Sequence, residues 1–216
     1  MAVVPKKRRY DAARRKEAAE ATRRAILDAA RSTFLERGYL ATTMSSIAQR
    51  AGVALDTIYA SIGGKPALFK LLVESAVSGS DRPVAALERD YVRAIREEAD
   101  PRRKLALYAR AICAIHLRLA PLFEVLQSAA SADTELAALW SEISNRRARN
   151  MRLFAGDLKA ADGLREGLDV EQAADIIWSM NSPEFYLLLV AQRGWAPERF
   201  EQWLSDAWAR LLLKDP

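Results

Sequence analysis

The chain is poor in the residues that most often carry chemistry. Among its 216 residues there is one cysteine, Cys113, and one histidine, His116. A lone cysteine excludes an intrachain disulfide and suits a reducing compartment. One Cys and one His cannot assemble a Cys/His metal site within a chain. Nine glycines and eight prolines are few, and they fall at punctuation points. No phosphate-cradling glycine loop, nucleophile–base pair or metal constellation is legible, so the sequence predicts no enzyme, no cofactor and no metal. Long apolar runs are missing too: the longest, 185–191, is far too short to span a bilayer. Residues 1–24 carry charges throughout and hold no apolar stretch of the kind a secretory signal needs, so the expectation is a cytoplasmic protein.

What is present favours helix. Half of the residues are hydrophobic, enough to bury a core, and Ala, Leu, Arg and Glu are abundant. No alternating strand pattern and no internal repeat stands out. Charge is unevenly spread. Residues 1–70 hold 14 Lys and Arg against 6 Asp and Glu, a net of +8, while the rest hold 19 against 22. Only one end of the molecule is therefore suited to a polyanion. Lys6, Lys7, Arg8, Arg9, Arg14, Arg15 and Lys16 make residues 1–16 a basic flexible arm, able to follow phosphates or enter a minor groove.

From Glu17 onward the apolar period is helical, with Ile26, Ala29, Ala30, Thr33 and Phe34 on one face and Gly38 as the stop. Lys65-Pro66 opens a further helix. Downstream, helices are expected over 102–119 and again from Pro121, from an Asp133 cap to Lys159, from an Asp169 cap to Met180, over 184–192, and over 198–213.

The informative segment is 44–63. Ile47, Ala48, Ala51, Gly52, Val53 and Ile58 have the spacing of a helix-turn-helix. Ala48 is small where two helices cross, Gly52 can adopt the left-handed turn conformation, and Val53 and Ile58 bury the second helix against the first. Thr43 can cap the first of the pair. The second helix, Leu55 to Ile62, would enter the major groove. It carries no Arg or Lys, which removes bidentate guanine contacts. Ala54, Leu55 and Ala60 can pack on thymine methyls. Asp56 either accepts from a cytosine amino group or caps the helix. Thr43, Ser45, Ser46 and Thr57 offer hydroxyls, and the helix N-termini offer amides, to DNA.

With Phe34, Gly38-Tyr39, Thr42-Thr43, Ile47-Ala48, Ala51-Gly52-Val53, Thr57-Ile58-Tyr59, Lys65 and Leu68-Phe69, residues 24–70 resemble the TetR family of regulators. The chain departs from the usual pattern at Ile62, where an aromatic residue is common, and at Gly63-Gly64 before the lysine. The resemblance implies an all-α fold with a three-helix DNA-binding domain at residues 17–66. A larger helical domain for ligand binding and dimerisation would follow at 67–216. It implies that Tyr59 and Lys65 touch DNA phosphates, and that the partners are double-stranded operator DNA, a small effector and a second copy of the chain.

In the body, Tyr108, Ile112, Cys113 and His116 share one helical face. Together with Phe123, Trp140, Met151, Phe154 and Trp178 they are either ordinary core or, as the resemblance implies, partly the lining of an apolar ligand cavity. His116, Arg147 and Asn181 are its candidate polar fixtures. The resemblance also implies a dimer through the last two helical segments, where Phe185, Leu189, Phe200, Trp203 and Trp208 are the candidate contacts. The function expected is a ligand-responsive DNA-binding regulator, a repressor released from its operator by a small hydrophobic or amphipathic molecule. The rival expectation is a helical ligand-binding or protein-interaction module without specific DNA binding.

Overall fold

The computed structural model describes residues 6–80 and 84–214. The fold is all-α, with no strand among the described residues. The chain divides into two compact units, Met1–Leu72 and Val73–Pro216.

The N-terminal unit holds α1 (Lys6–Ala41), α2 (Met44–Ala51), α3 (Leu55–Ser61) and the start of α4 (Lys65–Ser78). α1 begins at Lys6 rather than near Glu17, which corrects the expected arm: its residues 6–16 are helical, and 1–5 lie outside the described residues. The cause is composition, since between Pro5 and Gly38 no helix breaker occurs and Ala, Arg, Lys and Glu dominate. The expected stop is present: Gly38 leaves helical geometry at φ 73°, ψ 172°. Thr42 fastens this break from inside, its buried Oγ1 donating to Gly38 O at 2.7 Å.

Ile26, Ala30, Phe34, Ile47, Ile58, Leu68 and Phe69 form the fully buried core of this unit. Phe34, Tyr39 and Phe69 pack as a trio, Phe34 stacked on Tyr39 at 5.6 Å and Phe69 edge-on to both at 5.1 and 5.4 Å. Aromatic pairs gain from such geometry beyond their buried area, and truncation of a core Phe to Ala costs about 3–5 kcal/mol.

The C-terminal unit begins within α4. It continues through a 3-10 turn (Ala86–Glu88), α5 (Asp90–Glu97), α6 (Pro101–Ala130), α7 (Thr134–Ala160) and α8 (Val170–Met180). α9 (Pro183–Tyr186) then runs into a π-helical turn (Leu187–Gln192), and α10 (Pro197–Leu212) ends the bundle. Asp100, Asp133 and Asp169 cap α6, α7 and α8 with their side chains, as short carboxylates at helix starts do. Pro121 does not open a new helix as expected: it sits inside a continuous α6. A proline removes one N–H and clashes with the carbonyl four residues back. Here Leu119, Ala120, Leu122, Phe123, Val125 and Leu126 are all buried around it, and their packing carries the helix through.

By length and composition α6 could cross a membrane, but its apolar side chains pack against α5, α7 and α10 as the central helix of the bundle. Its one buried cation, Lys104, donates to Asp157 Oδ2 at 2.7 Å and to Ile95 O at 2.8 Å.

Candidate nucleic-acid interface and ligand cavity

The α2–α3 pair is built as a rigid corner. Thr43 Oγ1 accepts from Ser46 N at 3.1 Å while Ser46 Oγ accepts from Thr43 N at 3.3 Å, a reciprocal cap on α2. Gly52 closes α2 at φ 66°, ψ 32°, and Val53 N donates to Ala48 O at 3.1 Å across the turn. Ile58, fully buried, anchors α3 from beneath. Outward, α3 presents Asp56, Thr57, Tyr59, Ala60 and Ser61, with Leu55 half-buried at its start. Tyr59 is 51% exposed, so it is no core aromatic. Thr43 and Ser45 are exposed at the start of α2. Asp56 does not cap the helix: Ala54 occupies that position without a side-chain bond, and Asp56 lies in the first turn, where a carboxylate complements the helix dipole.

Lys65 is positioned rather than loose. Its Nζ lies 4.3 Å from the Tyr39 ring centroid and 3.5 Å from Leu40 O. The Tyr39 ring belongs to the buried trio, so the core of the unit orients the lysine. On the far side of the corner, Arg50 and Glu36 form a bidentate pair at 2.6 Å, bracing α2 on α1.

The C-terminal unit encloses a cavity of about 500 Å³. Of the expected pocket residues, Tyr108, Ile112, His116, Arg147, Met151 and Asn181 line it, with Phe154. Phe123, Trp140 and Trp178 do not. They border a separate cavity of about 240 Å³, which Arg147 also reaches. Phe123 shares the helical face of His116 but lies two turns, about 10.5 Å, further along α6, where it packs on Trp140 at 4.5 Å. The sequence reading missed Arg89, Tyr91, Val92, Arg96 and Arg146 in the wall of the larger cavity. Only the amphipathic period of α5, with Ile95 inward, pointed to that side.

A buried polar chain crosses the cavity wall. Asn181 Nδ2 donates to Tyr108 Oη at 2.7 Å and meets Met151 Sδ at 3.0 Å. Its Oδ1 accepts from Arg147 Nη2 at 2.6 Å, and its backbone oxygen accepts from His116 Nε2 at 2.9 Å. Because a carbonyl can only accept, His116 carries its proton on Nε2, and its buried Nδ1 has no partner. Burial pulls the His116 pKa down to about 3, so the ring is neutral. Burial pushes the Tyr108 phenol far above its usual range. Cys113 rises to about 11 for the same reason and donates to Pro197 O, an unreactive thiol.

Of the candidate dimer contacts, Phe200 and Trp208 are 0% exposed within one chain, which removes them from any interface. Trp208 stacks on Tyr108 at 5.5 Å and Phe200 meets Tyr186 edge-on at 5.1 Å. Helical periodicity marks a buried face without saying which molecule buries it. Phe185, Leu189 and Trp203 stay partly exposed. Phe185 stacks on Trp203 at 5.5 Å, and Leu188 beside them is 50% exposed.

Comparison with known proteins gives a consistent pattern. The profile of the bacterial regulatory proteins, tetR family, matches residues 26–72. A probable HTH-type transcriptional regulator, ArpR of Pseudomonas putida, is 29% identical over 170 residues, covering 74% of this chain and 77% of that protein. NalD, the secondary repressor of the MexAB-OprM multidrug efflux pump in Pseudomonas aeruginosa, superposes with a TM-score of 0.71 at 22% identity, over 93% of this chain and 100% of that one. SmeT, in a complex with triclosan, superposes at 0.64 with 20% identity, over 90% and 93% of the two chains.

Proposed function

We propose that the chain is a regulator of the TetR type, which its resemblance over residues 26–72 supports, and that it is a cytoplasmic homodimeric repressor whose operator is released when a small hydrophobic or amphipathic molecule fills the cavity of the C-terminal unit. The observation that carries the proposal is the division of α3 into a buried Ile58 and an exposed Thr57–Tyr59 face, next to a lysine that the core itself orients. A helix anchored on one side and offering hydroxyls on the other suits a groove. Tyr59, Lys65, Thr43, Ser45 and Thr57 contact phosphates, and Leu55 packs on a base methyl. With no Arg or Lys in α3, affinity leans on phosphates and on the basic residues of α1.

Dimerisation uses the partly exposed face of the last two helical segments, Phe185, Leu189 and Trp203, with Leu188. Two recognition helices then stand about one DNA turn (~34 Å) apart or slightly more. One helix, α4, carries Lys65 at its start and the cavity-lining Val77 near its end, which makes it the natural link between effector and DNA. A selection of bound fragments from the source genome tests the proposal. Recovery of a few fragments sharing an inverted repeat supports it. Unselective recovery removes specific DNA binding and leaves a helical ligand-binding module.

A further inference from the structure

We propose that the effector is an anionic amphiphile, an apolar body in the larger cavity with one acidic head group, such as a carboxylate, held by Arg147. The inference rests on the reading of that cavity as the effector site, and it adds the charge of the ligand.

The wall carries four arginines, Arg89, Arg96, Arg146 and Arg147, and one carboxylate, Asp157. Two of these five charges are already neutralised, Arg146 by Glu74 at 2.6 Å and Asp157 by Lys104 at 2.7 Å. Arg89, Arg96 and Arg147 form no ion pair with any described residue. The cavity wall therefore carries an excess of positive charge, with Arg89 and Arg147 part-buried and Arg96 exposed to solvent.

Arg147 is the one set to bind. Its Nη2 donates to Trp178 O at 2.7 Å and Asn181 Oδ1 at 2.6 Å, and its guanidinium lies over the Trp178 ring at 5.1 Å. These contacts fix its plane but occupy only Nη2. The N–H groups on Nε and Nη1 bond to no described residue. Burial works against the charge of this group, lowering its pKa, with Tyr108 and then Glu184 acting the other way. Glu184 acts from the adjoining smaller cavity and makes no ion pair with it. A guanidinium that has already lost much of its water and keeps unused donors gains most from an anion.

The test is calorimetric titration of the full chain, at about pH 7.5, with three probes of equal chain length below their micelle concentrations: decanoate, decanol and decyltrimethylammonium. Decanoate is expected to bind about tenfold more tightly than the other two, or better. Arg147→Gln should erase that preference, while Arg147→Lys should keep much of it. Equal affinities, or tightest binding of decanol or the ammonium probe, overturn the proposal and leave the cavity reading standing. Failure of all three to bind overturns both. The ranking of the three probes on the unaltered chain decides the matter even if Arg147→Gln folds poorly.

Discussion

Arg146 of α7 donates from Nη1 to Glu74 of α4 at 2.6 Å, and the same arginine lines the larger cavity. Arg118 of α6 adds a second tie, donating from Nε to the Ala76 carbonyl at 3.0 Å. The end of α4 is thus fastened to cavity-wall helices by a part-buried ion pair and a charge-assisted hydrogen bond. Displacing α7 must break the pair or carry the 73–78 end of α4 with it.

Glu74→Gln should therefore weaken the coupling between effector and operator more than it weakens either binding event. Coupling free energies in such switches are about 1–3 kcal/mol. The expected result is that the fold-release of operator by a saturating ligand drops severalfold, while operator affinity alone changes little and an anionic ligand binds no more weakly, because Arg146 has lost its carboxylate partner. Titrating DNA with and without effector, and effector with and without DNA, checks both directions of the linkage.

His116 gives the chain a single histidine-dependent stability term. Its pKa is about 3 when buried against an ordinary 6.5. Between those values the unfolded chain takes up a proton that the folded chain refuses. Its contribution to stability is complete above pH 6.5 and is lost as pH falls toward 3, at up to about 1.4 kcal/mol per pH unit. Chemical denaturation at pH 7.5 and 5.5 should show this loss in the natural chain, and His116→Gln should remove most of the difference.

Gly52 sits at φ +66° with open space where a Cβ would be. The cost of a side chain there is conformational and not steric. Gly52→Ala should destabilise by about 1–2 kcal/mol and Gly52→Asn by less, because asparagine tolerates the left-handed region. Thermal unfolding of the three chains gives the order.

Tyr59 is exposed, so loss of its hydroxyl should leave folding nearly unchanged. Lys65→Ala should weaken operator and nonspecific DNA alike and reduce the salt slope of binding by about 1. Tyr59→Phe should weaken binding without moving the melting temperature. Filter binding at several salt concentrations, beside thermal melts, separates the two effects.

Local chemistry made much of this legible in the sequence. Thr43, Asp133 and Asp169 cap helices because short oxygen-bearing side chains do so wherever a helix starts, and Gly52 turns left-handed because little else can. Residues Tyr108, Ile112 and His116 could be placed on one face by counting along α6. Three features required tertiary information. Pro121 punctuates most helices, but burial on both sides of it decides otherwise here. Phe200 and Trp208 carry the right spacing for an interface and spend it on their own chain. That Arg89 and the still exposed Arg96 border a cavity is visible only once α5 is folded against the bundle.

The most direct test of the regulator reading is binding of the purified chain to DNA flanking its own gene, in excess nonspecific competitor. A competitor-resistant complex containing two copies of the chain, weakened in Tyr59→Phe and Lys65→Ala, is expected. Binding that the competitor abolishes at that DNA and at every fragment recovered from the genome would contradict it.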